Sequence, residues 1–309
     1  MPDFIHKPVM LSEVLAALRL QPGGRVVDGT IGGGGHAAAM LSATAPDGWL
    51  FGCDQDGDAV MAARQRLAEF AGRFEIRQAN FAELAEWVEP ASCDAVLLDL
   101  GIGTHQLDAA GRGFSFQQDG PLDMRKDRRQ ALTAAELVNS ASEAELAKIF
   151  WELGQEQHAR RIARAVVQER QSRLFETTRQ LAQLVERMSP RHGRKAHPAT
   201  KVFQALRIRV NDELATLKSG LAAAYSVLKP PGRLAAITFH SLEDRIVKEF
   251  GREQTRDYTV AGDVDVPELR QSCAPKMRWV QRKAIRPGAA ELESNPRARS
   301  GQLRVLEKI

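Results

Sequence analysis

Cysteine is scarce in this chain. Three residues, Cys53, Cys93 and Cys273, lie far apart among 309. That excludes the disulfide framework of a small secreted domain, and no Cys/His cluster has zinc-ligand spacing, so no metal is expected. Cys53 and Cys93 fall in apolar, strand-like runs and are read as reduced core residues of a cytosolic protein. Long hydrophobic runs are also missing. The N-terminus carries no apolar core of signal length, and no run reaches membrane-spanning length, so no membrane partner is expected and the cytoplasm is the expected compartment. Internal repeats and low-complexity tracts are absent as well.

What remains is an ordinary globular composition. An apolar fraction of 43% supplies a sizeable core, and 309 residues suit one large or two ordinary domains. The net charge is only +4, but it is uneven. From Arg270 to Ile309 there are ten Lys and Arg against three Glu, and from Ala110 to Lys201 seventeen against eleven acids. Two basic regions on a near-neutral body suggest a polyanionic partner; solvated faces are the plainer alternative.

The organising stretch is Val26-Val27-Asp28-Gly29-Thr30-Ile31-Gly32-Gly33-Gly34-Gly35-His36. A β-branched pair runs into an acid and four consecutive glycines, and an Ala-rich helical run follows. This is the layout of a first strand, a tight turn and a helix N-terminus, where glycine permits positive φ and close approach of a ligand to the main chain. Alone it is a weak signal, since doubly wound folds use such turns for many ligands. The continuation sharpens it. Trp49 to Cys53 reads as a second buried strand ending on Asp54, on the order of 20 residues past the glycines, where a carboxylate meets ribose hydroxyls. The turn holds no Lys and lacks P-loop order, so an adenosine-type nucleoside is expected rather than a triphosphate. NAD suits Asp54 but suits the glycine spacing less well; S-adenosylmethionine (AdoMet) needs no pyrophosphate cradle.

Further along, Phe74 to Asn80 reads as a third strand with Phe81 at its C-terminal end, either flanking an adenine or packing in the core. Asp94 to Leu98 is a fourth strand ending on Asp99. Alternating strands and helices imply a parallel sheet in an α/β fold. After Asp99 a Gly- and charge-rich stretch and four helical segments, near 133–139, 143–150, 155–171 and 178–188, break the pattern. They read as an insert, residues 106–195, between core segments 1–105 and 196–309. From Pro198, apolar residues at Phe203, Leu206, Val210, Leu214, Leu217, Leu221 and Leu228 predict one long helix. Arg233 to Phe239 is a fifth strand, Ser241-Leu242-Glu243-Asp244 a helix-capping pattern, and Leu303 to Leu306 a last strand.

Taken together, several motifs resemble a known family. They are Asp28 to His36, Leu97-Leu98-Asp99-Leu100-Gly101, Arg112 to Phe116, Asp119 to Arg125, His197 to Thr200, Phe203 to Ile208, Phe239 to Arg245 and Asn295 to Ser300. The set is similar to the bacterial 16S rRNA cytosine-N4 methyltransferases, the RsmH or MraW family, and it spans the chain. The resemblance implies a class I (Rossmann-like) AdoMet-dependent methyltransferase core with an inserted all-helical domain. It implies methylation of a decoding-region cytidine in small-subunit 16S rRNA. AdoMet contacts carried over by position fall on Gly34, Gly35, His36, Asp54, Phe81, Asp99 and Gln106. Gly103-Thr104-His105 stands where typical members have Ser-Ser-Pro.

For the chemistry, Asp99 is the candidate acceptor for the target amine, with cofactor binding alone as its competing role. Phe114 and Phe116 are candidates to stack on the base or to pack the insert. Arg160, Arg161 and Arg164 in the insert, with Arg297, Arg299 and Arg304 in the tail, are candidate phosphate contacts. The rival readings are an amino-methyltransferase acting on DNA and a nucleoside-binding RNA-interaction module without catalysis.

Overall fold

The computed structural model describes residues 8–189, 197–261 and 265–309. The chain forms two compact units, residues 1–101 with 214–309, and residues 102–213. No helix among the described residues is long and apolar enough to cross a membrane.

Among the described residues the first unit is built on nine strands: β1 (Arg25–Asp28), β2 (Trp49–Asp54), β3 (Phe74–Gln78), β4 (Cys93–Asp99), β5 (Leu228–Thr238), β6 (Tyr258–Val260), β7 (Arg270–Ser272), β8 (Met277–Trp279) and β9 (Gln302–Lys308). Seven of them make one sheet in the order β3-β2-β1-β4-β5-β9-β8, and β6 and β7 form a separate pair. β1 to β5 run parallel, and β9 is antiparallel to both its neighbours.

Side chains alternate across the strands, so each contributes to two cores. Val26, Leu50, Ile76, Leu97 and Ile237 join a cluster with helix residues Val14, Met40 and Val60. Val27, Phe51, Val96, Leu98 and Ala236 join a second with Leu217, Leu221 and Val247. Both faces of the sheet are covered, which explains why its strands read as continuous apolar runs.

Register sets the position of the site. Asp28, the last residue of β1, lies opposite Gly52 and Leu97, whereas β2 and β4 continue to Asp54 and Asp99. β1 therefore stops two residues short of both neighbours, and the glycine turn enters the notch. There the Gly29 N–H donates to the Leu97 carbonyl and the Ile31 N–H to the Cys53 carbonyl.

The second unit contains the helices Thr104–Asp108, Ala134–Ser140, Glu143–Glu152, Ala159–Glu169, Thr178–Met188 and Thr200–Val210. Thr133, Ser142 and Thr177 cap three of them through their side chains. One apolar cluster, including Leu137, Phe150, Ile162, Val166, Leu181 and Leu206, holds it together.

Three expectations are revised. The boundary expected after Lys195 lies outside the described residues, and the units divide instead at 101/102 and 213/214. The helix Thr200–Val210 joins the second unit because Phe203, Leu206 and Val210 bury themselves in its core. The single long helix is two, Thr200–Val210 and Glu213–Val227, broken where Asp212 takes a positive φ of 46°. Finally, the helix Ser241–Gln254 is capped by His240 with Glu243, not by Ser241.

Within the second unit the Glu213 carboxylate is buried and lies 2.9 Å from Arg207 and 3.0 Å from Lys126. Burial acts to raise its pKa, but Arg207 and Lys126 outweigh it and bring the value down to about 2. A depressed carboxylate adds stability above its ordinary pKa, and that stability is lost as pH falls from 4.5 toward about 2. Glu213→Gln should cost about 3–5 kcal/mol at neutral pH, because it leaves the buried Arg207 and the partly buried Lys126 without their anion. Urea melts should show the gap to wild type closing as pH approaches 2; a gap independent of pH would place the stabilisation elsewhere.

Candidate active site

The site grows from the two-residue notch. Asp54, at the end of β2, accepts the Gly32 N–H at 3.0 Å and the Asp56 N–H at 2.9 Å. One carboxylate thus shapes the glycine turn and the start of the next helix, whose N-cap is Asp56. With about four lone-pair positions it keeps acceptor capacity for ribose hydroxyls. Gly32 and Gly34 take positive φ, 50° and 77°, which a side chain would strain.

Asp99 ends β4. Its backbone N–H donates to Thr30 Oγ1 at 2.6 Å, tying the strand end to the turn. Gly101, at φ 103°, lets the chain leave β4 against the Phe239 ring; a Cβ there would lie 3.1 Å from it. The Asp99 side chain is 15% exposed, but its Oδ1 is shielded from solvent and has no hydrogen-bond partner among the described residues. Its Oδ2 lies 3.7 Å from His36 Nδ1. Burial, then the charges of Asp28 and Glu243, push the Asp99 carboxyl well above the usual carboxylate range. His36 Nε2 sits 2.9 Å from the Val9 carbonyl, so that nitrogen carries the proton and Nδ1 is turned toward Asp99.

Asp28 completes the group. It accepts the Thr30 N–H at 3.2 Å. Burial raises its pKa to about 7, against the lowering effect of the Thr30 hydrogen bond and with a further push from Asp54. Among the described residues neither Asp28 nor Asp99 has a Lys or Arg partner. Desolvated carboxylates around a glycine turn lack positive charge and hydrogen-bond donors. A cationic ligand bearing a ribose diol supplies both, and AdoMet is such a ligand; a triphosphate would be repelled. The donor set therefore fits AdoMet.

Of the residues singled out in the sequence, Gly34, Gly35, His36, Asp54 and Asp99 gather at this end of the sheet. The glycines act differently from expectation. A Cβ on Gly34 would meet Ala63 Cα at 3.2 Å, and one on Gly35 would meet Pro8 Cγ at 2.6 Å. Both positions face protein, so a Val there disturbs the fold as well as the ligand. Phe81 is a core aromatic: a Cβ on Gly220 would come within 2.1 Å of its ring. Gln106 is buried in the second unit, where its side-chain oxygen accepts the Gly103 N–H at 3.2 Å.

Phe114 is buried in the second unit's core, which removes it as a base-stacking residue. Phe116 packs 4.6 Å from the His197 ring and 4.9 Å from Phe203, so its ring is also engaged in packing. Arg160, Arg161, Arg164, Arg297 and Arg299 are exposed. Arg304 is not: its side chain is 10% exposed and its Nε donates to Asp244 at 2.6 Å. Alternation along β9 turns it into an ion pair instead of toward solvent.

Sequence reasoning gave no role to Thr30 or Asp28. Their signal was present in the Asp28-Gly29-Thr30 step, where a hydroxyl two residues past a strand end can hold the neighbouring strand.

Two outcomes follow from this geometry. Asp54→Ala should weaken AdoMet binding by tenfold or more, since hydrogen bonds to charged groups are worth about 1.5–3 kcal/mol each; calorimetry with unchanged affinity would remove Asp54 from the site. Arg304→Ala should lower the thermal midpoint and leave the salt dependence of RNA binding unaltered, whereas Arg297→Ala and Arg299→Ala should flatten that log–log slope by about one unit each. A flattened slope for Arg304→Ala would restore it as a phosphate contact.

The MraW methylase family model matches residues 3–309. The ribosomal RNA small subunit methyltransferase H of Syntrophotalea carbinolica is 48% identical over 312 aligned positions, covering 99% of this chain and 98% of that protein. The proteins of the same name from Symbiobacterium thermophilum and Geotalea uraniireducens are each 46% identical, covering 99% and 100% of this chain and 97% and 100% of their own lengths. With a match that begins before the glycine turn and runs through β9, the chain belongs to the MraW methylase family.

Proposed function

We propose that this chain transfers a methyl group from AdoMet to the exocyclic N4 amine of a cytidine in the decoding region of 16S rRNA, acting on small ribosomal subunits in the cytoplasm. The relatives' names supply the substrate class, small-subunit rRNA. The observation that carries the chemistry is Asp99. It is a partly buried carboxyl at the end of β4, beside the glycine turn, with one oxygen shielded from solvent and lacking a donor. An amine N–H is such a donor.

AdoMet, when bound, supplies a methyl group activated on a sulfonium. The difficulty lies with the nucleophile, because the cytosine amine lone pair is conjugated into the ring. An acceptor on an amine hydrogen frees that lone pair, and holding nitrogen, methyl and sulfur in line removes much of the remaining barrier. As the N–CH3 bond forms and the bond to sulfur breaks, the nitrogen must shed one proton. A carboxylate whose pKa burial has raised is a better base than an ordinary one, and Asp99 is our candidate for that acceptor. The His36 ring beside it, anchored at Val9, limits how the carboxyl can turn.

The test is transfer of label from methyl-labelled AdoMet to small subunits, followed by nucleoside analysis. N4-methylcytidine is the expected product; label in DNA only, or none from a folded, AdoMet-binding protein, would overturn the reading. Because the Asp99 carboxyl is raised, kcat should climb with pH as it deprotonates. Asp99→Asn should lower kcat by about a hundredfold or more and abolish that climb. A variant that raises only the KM for AdoMet would make Asp99 a cofactor-binding residue alone.

A further inference from the structure

The second unit carries a surface the reaction leaves unused. The helices Glu143–Glu152 and Ala159–Glu169 pack against each other and flank an open groove of about 950 Å³. Leu146, Ile149 and Phe150 of the first helix, and Ile162, Ala163 and Val166 of the second, point into the core. The opposite faces present Lys148 and Trp151 from one helix and Arg160, Arg161 and Arg164 from the other. Helical periodicity makes this a stripe, since 148 and 151 are three apart and 160 and 164 four apart.

Trp151 is the unusual member. It is 61% exposed, and it is the one aromatic residue among the large apolar side chains found exposed in the described residues. The other three tryptophans have ring partners: Trp49 and Trp87 sit against Phe51, and Trp279 lies under Arg304. Around Trp151 the charge is one-sided. The groove's single acid, Glu143, is spoken for by Arg164 at 3.4 Å. The Lys148, Arg160 and Arg161 side chains form no ion pair among the described residues.

We infer that this groove binds a single-stranded segment of RNA, with Trp151 stacking on an unpaired base and Lys148, Arg160 and Arg161 contacting the flanking phosphates. An exposed indole among unpaired cations is the arrangement that single strands require, since every base offers a π-face and every linkage a negative charge. A protein partner with an acidic face would satisfy the cations without requiring a base on the indole. The inference rests on the proposed rRNA substrate and adds to it a holding site on the insert.

The test uses the full-length protein with a single-stranded oligouridylate and with small ribosomal subunits. Oligouridylate should quench tryptophan fluorescence. Trp151→Leu should weaken its binding about tenfold, and Trp151→Phe, which keeps a stacking face, should hold affinity within about threefold. The triple variant K148A/R160A/R161A should flatten the salt dependence by about two to three log–log units. Trp151→Leu should raise the KM for small subunits while kcat and AdoMet affinity stay at wild-type values. Wild-type oligouridylate binding by Trp151→Leu, or a change in sedimentation without a change in RNA affinity, overturns the groove, the latter pointing to self-association. If wild type methylates small subunits and Trp151→Leu has an unchanged KM, the groove fails and the methyltransferase reading stands. If wild type transfers no methyl yet oligouridylate binding still depends on Trp151, the reverse holds.

Discussion

Carboxylates held away from water are the constraint on which the rest of the first unit depends. An isolated ionised carboxylate is costly to bury, and a protein meets that cost with hydrogen bonds, with cations, or by letting the group take up a proton. The notch above β1 uses the first and third of these. Asp54 is satisfied by backbone N–H groups of the turn and of the following helix start. Asp28 and Asp99 keep too few donors and rise in pKa. The turn, the strand ends and the N-terminal segment at Val9 are then arranged around acids whose electrostatic demand the polypeptide leaves partly unmet. A cationic, hydroxyl-bearing ligand meets it.

The opposite solution appears elsewhere in the same chain. Glu213 is more deeply buried than Asp99, yet Arg207 and Lys126 hold it ionised. Arg233 and Arg278 do the same for Glu307 on β9. These acids stabilise structure and leave nothing for a ligand. The contrast separates structural carboxylates from those available for chemistry, and it depends on which cations the fold brings near, not on burial alone.

Basic residues divide in a similar way. Arg304 is consumed by Asp244, and Arg170 donates to the carbonyls of Val138 and Ala141. Arg160 and Arg161 remain in solvent beside Trp151. A count of positive charge along the sequence is therefore an upper bound on the charge offered to a polyanion. The second unit's helices bury most of their apolar stripes, which is why an indole left outside stands out.

Local chemistry was enough to settle much of this protein from its sequence. The glycine run after a β-branched pair, the acids closing β2 and β4, and the insert's helical segments near 143–150 and 178–188 are short-range features, and they folded where periodicity and turn chemistry put them. Decisions that hang on distant partners were not legible. One apolar stripe from Phe203 to Leu228 reads as a single helix, because nothing in a 3.6-residue repeat says that its first half serves one core, its second half another, and its last residue a strand. Phe114 and Phe116 look alike on paper, and only packing shows the first buried and the second held against His197 and Phe203. Gly34 and Gly35 announce a close approach without saying to what; the neighbours prove to be Ala63 and Pro8. The sequence by itself determined the first five strands of the sheet, the turn and the acids at the strand ends, since each follows from residues within a few positions of one another. Only the tertiary structure decided which charges are spent and which remain, because the distance to a partner across the fold sets whether a buried acid is neutralised, protonated or left waiting for a ligand.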